Sequence, residues 1–219
     1  MAKRMSNHVH SQILNFQLKL NYYQKAQKNK IWLEEIETFH NKDFTVGILG
    51  AGFLGTAIGK YLQRLNYEVI GYKSSVYESN ISFPIFTKRK INNFIKESDI
   101  LVSILPLTPK TNNFIDQSFL KKMKKNALLI NVGRGELLNE EHLIEHLKIN
   151  KNFFASLDVF KNEPLTKKHK FWNHPNITIT PHIAAISDVE SSVTYMYQRF
   201  LSYKKNGKII SDVNLKKGY

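Results

Sequence analysis

The chain has 219 residues, with 32 Lys and Arg against 18 Asp and Glu, and no cysteine; disulfides, thiolate metal sites and cysteine nucleophiles are therefore excluded. No apolar run approaches the roughly 20 residues that span a bilayer, and no apolar signal core follows Met1-Ala2-Lys3-Arg4-Met5, so a soluble, cytoplasmic protein is expected, large enough for one full domain and part of another. The formal charge of +14 favours anionic partners, but the lysines are scattered and carry no nucleic-acid-binding signature, so the expected partners are a phosphorylated cofactor and a carboxylate substrate, with no specific nucleic acid and no membrane.

In chain order, Met5 to about Lys28 has helical spacing, with Val9, Ile13, Phe16 and Leu20 near one face. Trp32, Leu33, Ile36 and Phe39 continue an apolar stretch. Next comes the most informative segment, Val46-Gly47-Ile48-Leu49-Gly50-Ala51-Gly52-Phe53-Leu54-Gly55. A short apolar strand runs into GxGxxG and then into a helical pattern with Phe53, Leu54, Ala57, Ile58, Tyr61 and Leu65. In that context Gly50 allows a tight turn, Gly52 lets backbone approach a pyrophosphate, and Gly55 lets helix and strand pack closely. The first N–H groups of the helix would face the phosphates. A glycine turn with a purely structural role is the competing reading.

Glu68–Tyr72 reads as the second strand. The position some 20 residues past the glycines normally carries Asp or Glu in NAD sites, and this chain has Lys73-Ser74-Ser75 there. A lysine and hydroxyls suit a 2′-phosphate through charge-assisted hydrogen bonds, so NADP is preferred and NAD stays open. Lys73 as one more solvated lysine is the plainer alternative. Further strands are expected at Asp99–Leu105, Ala127–Val132, Phe153–Leu157 and Ile177–Thr180, with helices near Thr87–Glu97, Ser118–Lys122, Glu140–Leu147 and Val189–Tyr203. This alternation predicts an α/β fold, a Rossmann-type doubly wound parallel sheet. The flanks are too short for a second domain of ordinary size. The expected organisation is residues 1–43 as an interdomain helix and dimerisation arm, 44–182 as the dinucleotide-binding domain, and 183–219 as a C-terminal helix with only remnants of a substrate domain.

Three polar residues follow strands or lie in loops on the carboxyl side of the sheet, where such sheets bind ligands. Arg134 lies in Asn131-Val132-Gly133-Arg134-Gly135, Glu163 in Asn162-Glu163-Pro164-Leu165, and His182 in Thr180-Pro181-His182-Ile183-Ala184-Ala185. Arginine offers a planar cationic fork for a carboxylate, and a carboxylate beside an imidazole favours its protonated form. One by one they read as a helix-end arginine, a turn glutamate and a loop histidine; their shared placement gives them chemical meaning. By contrast, His142-Leu143-Ile144-Glu145-His146 matches the H-x-x-E-H zinc pattern, but it falls where a sheet-covering helix is expected and no third ligand is evident, so no metal is expected.

With these motifs in this order the chain resembles the D-isomer-specific 2-hydroxyacid dehydrogenases, and within them the glyoxylate/hydroxypyruvate reductase A branch. Besides Gly50–Gly55 the resemblance rests on Ser103-Ile104-Leu105-Pro106-Leu107-Thr108, Leu129–Gly135, Leu157-Asp158-Val159-Phe160 with Glu163-Pro164-Leu165, Trp172-Asn173-His174-Pro175-Asn176, Thr180–Ala185 and the terminal Gly218-Tyr219. It implies that Arg134 holds the substrate's carboxylate and carbonyl oxygen, that His182 is the general acid, and that Glu163 keeps His182 protonated and oriented. It implies further that Leu105, Pro106, Val132 and Asp158 line the nicotinamide and ribose side of the pocket, with Gly133, Arg134, His182 and Ala184 also against the cofactor. Reduction of a small 2-oxo acid to the D-2-hydroxy acid follows, in a homodimer that buries Trp32, Ile36 and Phe39. The branch often places an arginine near Ser74, and here Lys73 would substitute for it. The family also begins with about a hundred residues of substrate lobe that have no counterpart before Met1, which raises a second reading: a catalytically impaired nucleotide-binding or interaction module, like the C-terminal-binding-protein corepressors.

Overall fold

The computed structural model describes residues 1–34, 39–74, 81–185 and 189–207; Ile36, Ser75 and Gly218-Tyr219 lie outside the described residues. Seven short strands make one sheet: β1 (Thr45–Leu49), β2 (Glu68–Tyr72), β3 (Ile85–Phe86), β4 (Ile100–Ser103), β5 (Leu128–Asn131), β6 (Phe154–Leu157) and β7 (Ile177–Ile179). They pair in the order β3-β2-β1-β4-β5-β6-β7, every neighbouring pair parallel. The expected doubly wound α/β sheet is thus present. Parallel neighbours need crossover connections, and four of these carry α-helices, α3 (Phe53–Gln63), α4 (Ile91–Glu97), α5 (Gln117–Leu120) and α6 (Glu140–Ile149); α1 (Ala2–Gln17), α2 (Leu20–Lys28) and α7 (Val189–Asn206) lie outside that alternation.

Because successive strand residues point to opposite faces, the central strands feed two cores. Ile100, Val102, Leu128 and Ile130 join Val46 and Ile48 beneath α3 and α1, where Met5, Val9, Ile13, Ile58 and Leu62 are buried. Leu101 and Leu129 point the other way, into a cluster with Phe94, Phe119, Leu143, Leu147 and Phe153. Both faces are covered, which is why the strands read as unbroken apolar runs rather than as alternating ones.

The single N-terminal helix expected from Met5 to about Lys28 is instead two helices, α1 and α2, separated at Lys19, whose φ is +57°. Tertiary bonds end α1: the Gln17 side chain donates to the Phe39 carbonyl at 2.7 Å and to Asn41 Oδ1 at 2.9 Å, and accepts from the Tyr67 hydroxyl at 2.8 Å. The helix expected near Thr87–Glu97 begins as a 3₁₀ turn over Lys88–Lys90 before α4. Strand β3, only two residues long, has no periodicity to betray it. Among the described residues no helix is long and apolar enough to cross a membrane. Trp32 is 95% exposed in the single chain.

Phe94 is fully buried, with its ring 5.9 Å from that of Tyr72 and 6.0 Å from that of Phe86. Phe94→Ala is expected to cost about 3–5 kcal/mol of stability, measured from urea unfolding. A loss below about 1 kcal/mol would mean that α4 does not seal this face of the sheet.

Candidate active site

Strand β1 pairs with β2 on one side and β4 on the other, so the chain order reverses there and a crevice opens at the carboxyl ends of the strands. Three loops meet at that edge. Gly50 turns out of β1 with φ +118°, and a Cβ there would lie 3.0 Å from the Ile104 carbonyl carbon, in the loop after β4. The backbone of Gly133, after β5, lies against the Leu105 carbonyl oxygen. The turn is tied across the sheet by the N–H groups of Gly50 and Ala51, both donating to the Tyr72 carbonyl.

Gly52 caps the N-terminus of α3 with no side-chain hydrogen bond, and the space where its Cβ would stand is open. The first N–H groups of the helix therefore depend on solvent or a ligand. Phe53 is exposed and Leu54 half-buried, while Gly55 packs on the Gly50 carbonyl. A cleft of about 390 Å³ begins here; Gly52, Phe53, Thr56, Lys60, Lys73 and Ile81 are among the residues that line it. The Lys73 N–H is held by the Phe86 carbonyl at 3.1 Å, so β3 fixes where that side chain leaves the sheet. Ser74 is exposed beside it.

After β5, Asn131 shapes the arginine turn: its fully buried side chain accepts from the Gly133 N–H at 3.2 Å and donates to the Arg134 carbonyl at 3.0 Å. Arg134 is exposed, with one Nη1 donor on the Gly133 carbonyl at 2.8 Å. The next residue, Gly135, packs so closely on the Phe160 carbonyl that any Cβ would collide with it. That contact brings the arginine turn against the loop after β6. There Glu163 Oε1 accepts the Phe160 N–H at 2.8 Å, and Oε2 meets His182 Nδ1 at 2.7 Å. Burial raises the Glu163 pKa, but the hydrogen bonds from His182 and Phe160 and the positive charges of His182 and Arg134 outweigh it, leaving the carboxyl below its ordinary value. His182 and Glu163 side chains remain 49% and 34% exposed, so the pair faces outward.

His182 has φ +55°, an uncommon conformation for a residue with a side chain. Its backbone is held there from one side. The His182 N–H donates to the Asp158 carbonyl at 2.8 Å. The Asp158 carboxylate accepts from the Thr180 hydroxyl, from the Ile183 N–H at 2.9 Å and from the Ala184 N–H at 2.9 Å. Asp158 is only 2% exposed, and its carboxylate is engaged in holding the histidine loop, the buried Ala184 being one of the groups it holds. His8 of α1 approaches the same carboxylate at 4.0 Å. Burial lowers the His8 pKa, with Arg4 acting in the same direction and Asp158 in the opposite one.

Arg134, Glu163 and His182 are thus brought to one rim, and Leu105 and Pro106 lie half-buried on the neighbouring loop while Val132 is buried. Asn131 and the inward role of Asp158 are not foreseen from sequence; the one signal was a polar residue closing an apolar strand. In α6 both histidines serve local structure: His142 Nδ1 accepts the Gln117 N–H at 3.2 Å, and the His146 ring packs edge-on against Phe153 at 4.6 Å.

Glu163 is unpaired in the unfolded chain, with an ordinary value near 4.5. Its depressed value in the fold means that the contact stabilises above about pH 4.5 and that this contribution is lost as pH falls through the lower folded value. The difference in urea midpoint between the wild type and Glu163→Gln should therefore be largest near neutral pH and shrink in acid; a difference independent of pH would show that the contact is not formed in solution.

Residues 10–184 match the model of the NAD binding domain of the D-isomer specific 2-hydroxyacid dehydrogenases. Over all 219 residues the chain is 31% identical to a glyoxylate/hydroxypyruvate reductase A of Yersinia enterocolitica, covering 70% of that protein. The NADPH-dependent glyoxylate/hydroxypyruvate reductase of Sinorhizobium meliloti, solved with NADP and sulfate, superposes with a TM-score of 0.93 at 30% identity, over 100% of this chain and 70% of that one. A D-isomer specific 2-hydroxyacid dehydrogenase of Xanthobacter autotrophicus, solved with NADPH and MES, gives 0.93 at 27% identity, over 100% of this chain and 90% of that one. By sequence match and fold, the chain belongs to the D-isomer specific 2-hydroxyacid dehydrogenase family.

Proposed function

We propose that this chain binds NADP(H) across the carboxyl-end crevice and reduces a small 2-oxo acid, of the glyoxylate or hydroxypyruvate type, to the D-2-hydroxy acid. The observation that carries the reading is the 2.7 Å contact between His182 Nδ1 and Glu163 Oε2 on the same rim as Arg134. The cofactor fits the residues present: space over Gly52, an α3 N-terminus with no side-chain cap, and a cleft bordered by Lys73. Gly50, Gly52, Phe53, Leu54 and Gly55 would hold its pyrophosphate, Lys73 and Ser74 its 2′-phosphate, and Leu105, Pro106, Val132 and Gly133 its nicotinamide end. The solved relatives that carry NADP or NADPH in this fold support that placement.

When bound, the reduced nicotinamide supplies the hydride. The protein supplies charge, orientation and a proton. Arg134 presents a cationic fork to the substrate's carboxylate and carbonyl oxygen. Glu163 occupies His182 Nδ1, which leaves Nε2 to give its proton to the carbonyl oxygen as that oxygen gains charge. Asp158 and Ala184 serve this chemistry at one remove, by fixing the backbone of His182. Residues 44–182 are then the dinucleotide-binding domain, and 1–43 an arm that buries Trp32 and Phe39 in a homodimer.

The second reading, a nucleotide-binding module without turnover, draws on the exposure of His182 and Arg134, since an open site loses the electrostatic strength that exclusion of water confers. NADPH oxidation with glyoxylate, run beside direct NADPH titration, separates the two. The expected outcome is turnover that His182→Ala lowers about 10²–10⁴-fold with little change in NADPH affinity, and that Arg134→Ala also lowers, through kcat/KM for the keto acid. Turnover surviving in His182→Ala refutes the assigned roles, and tight NADPH binding without turnover in the wild type favours the second reading.

A further inference from the structure

We propose that Lys60, on α3, is a second cation of the cofactor cleft and acts with Lys73 to select NADP over NAD; the inference rests on the cofactor reading above. Phe53, Thr56, Ala57 and Lys60 all line the cleft, and they stand at spacings of three, four and seven along α3. That is one helical stripe, on the side away from Gly55, Ile58, Gly59 and Leu62, which are buried against the sheet. The stripe leads from the uncapped start of the helix to Lys60. Lys73 reaches the same cleft from the end of β2. Long helical side chains lean back towards the N-terminus of their helix, so the Lys60 ammonium is carried towards Gly52 and not away from it.

The position at the end of β2 is where this fold meets the adenosine ribose. A phosphate on the ribose 2′-oxygen therefore enters the space that Lys73 borders, and Lys60 borders the same space. Among the described residues no carboxylate lines the cleft, and Lys60 forms no salt bridge. Two ammonium groups, each a compact point charge on a flexible stem, can flank a phosphate dianion from two elements. A 2′-hydroxyl offers neither of them a charge, so the pair discriminates by the phosphate alone.

Titration of the full chain with NADPH and with NADH, by quenching of protein fluorescence or by calorimetry, tests this. Lys60→Ala should weaken NADPH binding about 5- to 20-fold and leave NADH affinity within about twofold, Lys60→Arg should restore most of the preference, and Lys60→Glu should push NADPH below NADH. An unchanged ratio of the two affinities in Lys60→Ala, or an equal loss for both nucleotides, overturns the role of Lys60 while the cofactor reading stands. Failure of the wild type to bind either nucleotide overturns the cofactor reading itself, and this inference with it.

Discussion

The carboxylate of Asp158 accepts from the Thr180 hydroxyl and from the N–H groups of Ile183 and Ala184, while its own backbone carbonyl takes the N–H of His182. A buried carboxylate is costly unless donors surround it, and here the donors all come from the loop that carries the histidine. The exchange works in both directions. The loop satisfies the charge, and the charge keeps His182 in a left-handed backbone conformation that it would otherwise seldom adopt. From that conformation the ring meets Glu163. If the carboxylate were removed, three donors would lose their partner at once, and the imidazole would no longer have a fixed address.

The same economy of loops governs the rest of the rim. Gly50 lies against the loop after β4, Gly133 against the same loop, and Gly135 against the backbone of Phe160. The connections after β1, β4, β5 and β6 thereby touch in sequence, and each brings one part of the rim: the glycine turn, Leu105 and Pro106, Arg134, Glu163. The strands position these loops because their order reverses between β1 and β4. Asn131, closing β5 from within, sets the turn that turns Arg134 outward. Side chains that never face the crevice thus determine where the outward ones stand.

Much of this is legible in the residues. An apolar run into GxGxxG specifies strand, turn and helix together, because each glycine answers a separate steric demand. The trio of Arg134, Glu163 and His182 can be read from position alone, since each follows a strand or lies in a loop at the ligand-binding edge. Other features need the fold. Asp158 is a pocket residue only by the family resemblance, and its hold on the histidine loop depends on three donors some 25 residues downstream in the chain. Lys60 reads as one lysine among many until α3 and β2 are placed side by side. The break between α1 and α2 has no glycine or proline to announce it; it follows from bonds that Gln17 makes to Phe39, Asn41 and Tyr67. Strand β3 is too short for any pattern to register.

Helix α7 bears exposed Val189, Val193, Met196, Tyr197, Phe200 and Leu201, on a chain whose formal charge is +14. The two properties oppose one another between copies: apolar contact is short-ranged and attractive, whereas the net charge repels at distances set by the ionic strength. Added salt shortens that reach without weakening the apolar attraction. The balance of the two forces on the exposed face of α7 is thereby set by the electrolyte around it.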